Sequence, residues 1–202
     1  MKLTYVYLGL GVLFVIGVYL ILTQHSDDQI PATATSRYNE VHVHADFLMV
    51  LDGNEIDLSL PKYQSGLETG VKHDYIHLHD NQGNIIHRHA EGITFGEFLQ
   101  SIDFSLTDTC VTLDTGEAYC TEADDELTLY VNGTPHPDPN QYVLADNDRV
   151  LLYLGAVDDP ALPQLLTSVT DEACIYSGTC PERGTPPPEA CGVTCEVAPG
   201  DL

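Results

Sequence analysis

Residues Tyr75 to Gly92 read Y-I-H-L-H-D-N-Q-G-N-I-I-H-R-H-A-E-G, and their register decides the fold. Two His-x-His pairs, His77/His79 and His87/His89, flank a polar turn containing Gly83. Side chains alternate faces along a β-strand, so each pair puts both imidazoles on one surface. With Asn81-Gln82-Gly83 as the loop and Gly83 left-handed, a common hairpin geometry, Asp80 faces Asn84, His77 faces His87 and Tyr75 faces His89. All four imidazoles then share a surface, and Arg88 points the other way. Opposed Cβ atoms lie about 4.5–5.5 Å apart, close enough for two rings to share an ion. A slip of one residue would divide the rings between two faces.

Upstream, a third pair, His42/His44, lies in V-H-V-H-A-D-F. It belongs to an expected strand from Val41 to Leu51. Val41, Val43, Phe47 and Met49 fall on one face of that strand, and His42, His44 and Asp46 on the other. Asp52-Gly53 signals a type I′ turn, and Glu55 to Leu60 returns. Pro61 to Asp74 reads as a loop.

Downstream, the second face of the His hairpin carries Ile76, Leu78 and Ile86, which need a cover. Thr94-Phe-Gly-Glu97 is a capping box that starts a helix. Phe95, Phe98, Leu99 and Ile102 form its apolar face. Cys110 to Cys120 reads as a second hairpin. With Asp114-Thr115-Gly116 as its loop, Cys110 faces Cys120 within bridging range. Leu127 to Val131 is a strand with Asn132-Gly133 as its turn. Asn140 to Leu144 is irregular, and Asp146-Asn147-Asp148 leads into a last strand, Arg149 to Leu154. Asp159 is placed to cap a short helix beginning at Pro160.

The expected class is α+β: a β-grasp-like mixed sheet with one packed helix and extra β-hairpins, preceded by a single transmembrane helix. The grasp order of strand, strand, helix, hairpin, strand, strand is counted from residue 75. Leu3 to Thr23 carries no charge and is long enough to cross a bilayer as a helix. Lys2 before it and Asp27/Asp28 after it put the N-terminus in the cytoplasm and the rest outside. The rival reading is a cleaved signal peptide, with Ala32-Thr33-Ala34 as the cleavage site, but the apolar run is too long and ends too early. The organisation is therefore an anchor over residues 1–24, a stalk over 25–40, a His-rich domain over 41–157 and a Cys/Pro-rich tail over 158–202.

The chain has 202 residues and a formal charge of −24, from 7 Lys and Arg against 31 Asp and Glu. Such a charge excludes nucleic acid as a partner, because phosphate binding needs a basic surface. It favours solubility and attracts cations. The 6 cysteines all lie in the second half and include no C-x-x-C. Behind a membrane signal they read as structural disulfides of an oxidising compartment. Cys174, Cys180, Cys191 and Cys195 are expected to pair among themselves, and sequence does not choose among their three pairings. Pro186-Pro187-Pro188 favours an extended polyproline path.

The segment Y130-V-N-G…Y142-V-L-A-D-N-D-R-V…Y153 resembles the closing half of secreted β-grasp modules. More broadly, H-V-H-A-D-F, Y-I-H-L-H-D, I-I-H-R-H-A-E-G-I-T, T-C-V-T-L-D-T-G-E-A-Y-C, L-T-L-Y-V-N-G and D-N-D-R-V-L-L-Y-L-G occur in order over residues 41–155. In this the chain resembles a little-characterised family of membrane-anchored, His-rich extracytoplasmic prokaryotic proteins. Members are sometimes labelled disulfide-isomerase-like. This chain lacks the C-x-x-C of that chemistry, so the activity does not carry over.

Seven of the nine histidines fall between His42 and His89. Neutral imidazole is a ligand for zinc and copper, and several must converge on one ion. His42, His44, His77, His79, His87 and His89 are the candidate ligands of a divalent transition metal. Copper comes first because Cu²⁺ tops the divalent affinity series, with zinc close behind. The paucity of methionine, Met1 and Met49 only, speaks against a thioether site. Binding should weaken as pH falls through the ordinary imidazole value of about 6.5, because ligand rings must be neutral.

Three functions compete. The first is an extracytoplasmic metal-binding module, whose partners are the membrane and a metal ion. The second is a structural or interaction domain whose histidines merely bond to Asp46, Asp80 and Glu91. The third is a metalloenzyme, since H-V-H-A-D-F is similar to the H-V-H strand of copper–zinc superoxide dismutases. A strongly negative protein repels superoxide, which argues against the third. No nucleophile elbow and no phosphate-binding glycine loop is present. His25 and His136 read as ordinary surface residues.

Overall fold

The structure is a computed structural model that describes residues 40–66, 70 and 72–186. The expected membrane helix, the stalk up to residue 39, Cys191 and Cys195 lie outside the described residues. Among the described residues no helix is long and apolar enough to cross a membrane.

The strands are β1 (Glu40–Leu51), β2 (Asn54–Glu55), β3 (Gln64–Ser65), β4 (Ile76–His79) and β5 (Ile85–Ala90), followed by helix α1 (Phe95–Ser101). Then come β6 (Ser105–Leu106), β7 (Cys110–Thr112), β8 (Ala118–Cys120), β9 (Asp125–Val131), β10 (Thr134–His136) and β11 (Arg149–Ala156). Helices α2 (Leu162–Ser168) and α3 (Ala173–Tyr176) close the described chain. The class is mixed α+β. The main sheet runs β10-β9-β11-β1-β5-β4-β3, with β2 paired to the end of β1. A second, small sheet is β6-β7-β8.

β1 is the middle of the main sheet, parallel to β11 on one side and antiparallel to β5 on the other. Counting the fold from residue 75 is therefore corrected: the central strand is the one that carries His42 and His44. β4, which carries His77 and His79, lies one strand further out and is bordered by the short parallel β3.

Alternation along β1 and β11 separates two apolar layers. Ala45, Phe47, Met49 and Leu51 join Val150, Leu152 and Leu154 in the larger one, with Ile76, Leu78 and Ile86. α1 covers this layer. Its capping box forms as expected: the Thr94 hydroxyl accepts from Glu97 N at 3.2 Å, and the Glu97 carboxylate accepts from Thr94 N at 2.8 Å. Phe95 and Phe98 then stand edge-on to Phe47, with ring centroids at 5.4 and 5.7 Å. Each fully buried aromatic of this kind contributes about 1.5–3 kcal/mol.

The other face is covered too, which corrects the expectation of one packed helix. Val50, Leu151, Tyr153 and Val169 form a second layer, with Leu162, Leu165 and Leu166 of α2 packed against it. The Arg149 guanidinium donates to the carbonyls of Thr167, Val169 and Thr170, satisfying acceptors that the end of α2 leaves open. α2 starts later than expected, at Leu162 rather than Pro160. Asp159 instead accepts from Ala161 N at 2.8 Å and from the Tyr153 hydroxyl at 2.6 Å. Burial and the neighbouring carboxylate both push the Tyr153 hydroxyl pKa up.

Four turns repay comparison with the sequence. Asp52-Gly53 and Asn132-Gly133 both have paired positive φ, as type I′ turns require. The Asp114-Thr115-Gly116 loop aligns Cys110 with Cys120, and the two are joined by a disulfide. The His hairpin turns differently from expectation. Asp80 and Asn81 take the left-handed conformation, with φ of 57° and 58°, and Gln82 N donates to His79 O at 3.0 Å. Gly83 is needed for space instead. A Cβ there would lie 2.5 Å from Ser59 N and 2.7 Å from Leu58 C, both backbone atoms that cannot swing aside. Gly83→Ala is expected to lower stability by about 1–3 kcal/mol through overpacking, measured by urea denaturation. An unchanged midpoint would show that the loop yields freely.

Candidate metal centre

The histidine hairpin keeps its expected register: His77 pairs with His87, and Ile76 with Arg88. On the other side of β5, His44 of β1 pairs with His87. Three imidazoles therefore form a row across β1, β5 and β4. Two residues along each strand, alternation adds His42, His89 and His79 on the same face.

The six rings form a closed circuit. Centroids are 4.6 Å apart for His42–His44, 4.7 Å for His44–His87 and 3.8 Å for His87–His79. They continue at 5.7 Å for His79–His77, 5.0 Å for His77–His89 and 4.9 Å for His89–His42. His44, His77, His79, His87 and His89 are buried, and His42 is exposed at the rim. Within the circuit, His42, His44 and His87 offer ligand atoms that all lie within 4.8 Å of one another. Zinc–nitrogen bonds of about 2.0–2.1 Å put tetrahedral ligand atoms about 3.4 Å apart.

Three rings have Nδ1 held from outside the circuit. The Ser177 hydroxyl donates to Asp146 Oδ1 at 2.5 Å, because a carboxylate only accepts. Ser177 Oγ, 2.8 Å from His44 Nδ1, must then accept from it. His44 thus carries its proton on Nδ1 and its lone pair on Nε2. His77 Nδ1 donates to the carbonyl of His73 at 2.9 Å. His79 Nδ1 lies 2.9 Å from the Asp80 carboxylate and donates to it. Metal-binding histidines are typically oriented by such outer partners, which also raise ligand basicity.

Arg88 points away, as expected. It donates to Leu144 O at 3.0 Å and Ala90 O at 2.6 Å on the opposite face. Burial lowers its pKa, opposed by Glu91, Asp146 and Asp148. His136 of β10 lies against Tyr142, with the rings tilted at 59° and centroids 4.6 Å apart, away from the circuit.

What covers the rings has no signal in the sequence. Part of the expected Cys/Pro-rich tail packs there. Tyr176 lies against His44 and His87, with centroids at 5.8 and 5.6 Å. Asp46, 1% exposed, accepts from the Thr170 hydroxyl at 2.5 Å, Glu172 N at 2.8 Å and Ala173 N at 3.0 Å. It ties down this segment rather than bonding a histidine. A Cys174–Cys180 disulfide closes the loop that carries Tyr176 and Ser177. Asp46 was visible on the histidine face of its strand. Asp146, Tyr176 and Ser177 had no local signal.

Compared with known proteins, the chain matches no family model, no curated protein and no solved structure.

Proposed function

We propose that this protein is a membrane-anchored, extracytoplasmic metal-binding module that holds copper or zinc on clustered His-x-His pairs. The observation that carries the reading is the convergence of His42, His44 and His87, with ligand atoms within 4.8 Å of one another. The donor set suits these metals: neutral imidazoles, one of them already oriented by Ser177 and Asp146. Asp46 is engaged elsewhere and the cysteines of both described bridges are oxidised, so nitrogen is the donor on offer. His42 at the rim provides the way in for an ion.

Location and lineage belong to the same proposal. The uncharged run from Leu3 to Thr23 anchors the chain, with Lys2 inside and Asp27/Asp28 outside. Two disulfides suit an oxidising exterior. The order β5-β1-β11-β9-β10, with β1 and β11 parallel at its centre, supports a β-grasp reading in which β3 and β4 are additions. Kinship with the membrane-anchored His-rich proteins that the chain resembles rests on the quoted segments of residues 41–155 alone.

The test is titration of the purified full chain with Cu²⁺ and Zn²⁺ at neutral pH and again about one unit below the ordinary imidazole value of about 6.5. Saturable uptake at neutral pH that weakens on acidification is the expected result. A chain that takes up neither ion retains only the structural role. Ser177→Ala is expected to weaken the ion about 10–100-fold by releasing His44, the usual effect of removing an outer-shell partner. Competition against a chelator of known affinity measures it.

A further inference from the structure

We infer that an ion on His42, His44 and His87 keeps one coordination position for a small inorganic anion, and that Tyr176 sets the size of what can enter. This rests on the metal-binding reading above and adds an outside ligand to it. Three observations carry it.

The first is ligand number. His42, His44 and His87 form the one group among the described residues whose ligand atoms converge. Structural zinc sites close with four protein ligands, whereas three leave the fourth position to an outside molecule. His79 and His89 neighbour the trio, ring to ring with His87 and His42, but stand outside the converging group. Asp46 is taken up by the amides of Glu172 and Ala173, and Cys174 and Cys180 are bonded to each other.

The second is direction. His42 and His44 of β1 and His87 of β5 share one face of the sheet. The fourth direction of a tetrahedral ion on them therefore points away from the strands. The Tyr176 ring covers this face, with its centroid 5.8 Å from His44 and 5.6 Å from His87. Tyr176 is half-buried, while His42 is exposed. An incoming ligand passes the open edge at His42 and stops against the tyrosine ring. The Cys174–Cys180 disulfide and the Ser177 contacts to Asp146 and His44 hold that ring in place.

The third is charge. Neutral imidazoles leave a divalent ion its full positive charge, the largest in the site. The negative field of the chain slows the approach of an anion. At contact the ion's charge outweighs carboxylates that lie farther off. The ligand is thus a compact anion, narrower than an aromatic ring.

The test uses the full chain with one equivalent of Cu²⁺ at neutral pH and azide as the probe. No copper uptake overturns the metal-binding reading and this inference with it. With copper bound, a saturable azide-to-copper charge-transfer band is expected, reaching one azide per ion. Bound copper that gives no such band overturns the open position alone. The same holds for a paramagnetic resonance spectrum showing four protein nitrogens that azide leaves unchanged. Tyr176→Ala is then expected to admit imidazole, a wider probe, at least about 10-fold more tightly than the unaltered chain. That is the low end of what one methylene is worth in a tight pocket, and a tyrosine ring is several. Tyr176→Phe keeps the ring and should exclude imidazole as the unaltered chain does. Copper retained after ultrafiltration shows that imidazole has joined the ion rather than stripped it. Equal imidazole affinity in all three chains overturns the role of Tyr176. Should Tyr176→Ala fail to fold, the unaltered chain decides: imidazole binding as readily as azide overturns the size limit.

Discussion

Replacing His44 and His87 together by alanine is expected to abolish metal uptake at the site proposed between β1 and β5. These two rings are the middle of the cluster. They pair directly across the strands, sit 4.7 Å apart and share the convergent group with His42. His42 alone then remains of that group, at the exposed rim. The expected loss of affinity exceeds about 100-fold, because outer-shell partners alone are worth 10–100-fold and on the proposed reading these two are direct ligands. Isothermal titration with Zn²⁺ reads the loss, and circular dichroism confirms that the sheet persists. His136→Ala, remote on β10, serves as the control and should bind as the unaltered chain does. Equal affinity in the double variant and the control would remove the metal centre as drawn. The histidines would then be packing groups on a covered sheet face.

The rows of histidines could be read from sequence because both halves of the inference are local. Alternation with period two fixes which residues share a face. The short loop between β4 and β5 fixes which residues oppose one another. The reading survived an error in the turn. Asp80 and Asn81 adopt positive φ themselves, as Asp and Asn tolerate, yet His77 still pairs with His87 and the register is unchanged. α1 was equally readable, since a capping box and an apolar stripe are local patterns. What escaped was everything set by distant pairing. Nothing in V-H-V-H-A-D-F says that its strand lies between β5 and β11. Nothing near Ser177 says that it will meet His44, 133 residues away. The tail looked like an appendage because its composition is that of one: prolines, cysteines and few apolar residues. Its attachment depends on Asp46 and Arg149 reaching its backbone, and such contacts leave no periodicity behind.

That attachment makes Asp46 the second position of large expected effect. Its carboxylate is almost wholly buried and accepts three hydrogen bonds from residues 170–173. In the Asp46→Ala variant the Glu172 and Ala173 amides and the Thr170 hydroxyl all lose their acceptor. Bonds to a charged group are worth about 1.5–3 kcal/mol each, and buried donors left unsatisfied carry a further penalty. The three bonds share one acceptor, so they do not add in full, and a loss of about 3 kcal/mol is expected. Arg149 still holds the end of α2 through the carbonyls of Thr167, Val169 and Thr170. The loosening should therefore begin after residue 170 and free Tyr176 and Ser177 from the rings. Urea denaturation measures the stability change, and amide exchange at Glu172 and Ala173 locates it. Asp46→Asn keeps one carbonyl acceptor and is expected to lose less. Metal affinity should fall in parallel with the exchange at residues 172–173, because Ser177 orients His44 only while the loop is docked. If Asp46→Ala unfolds within about 0.5 kcal/mol of the unaltered chain, a shift ordinary for surface changes, the docking of the tail does not depend on this carboxylate. The cover over the histidines would then be held by α2, by Arg149 and by the Ser177 contacts to Asp146 and His44.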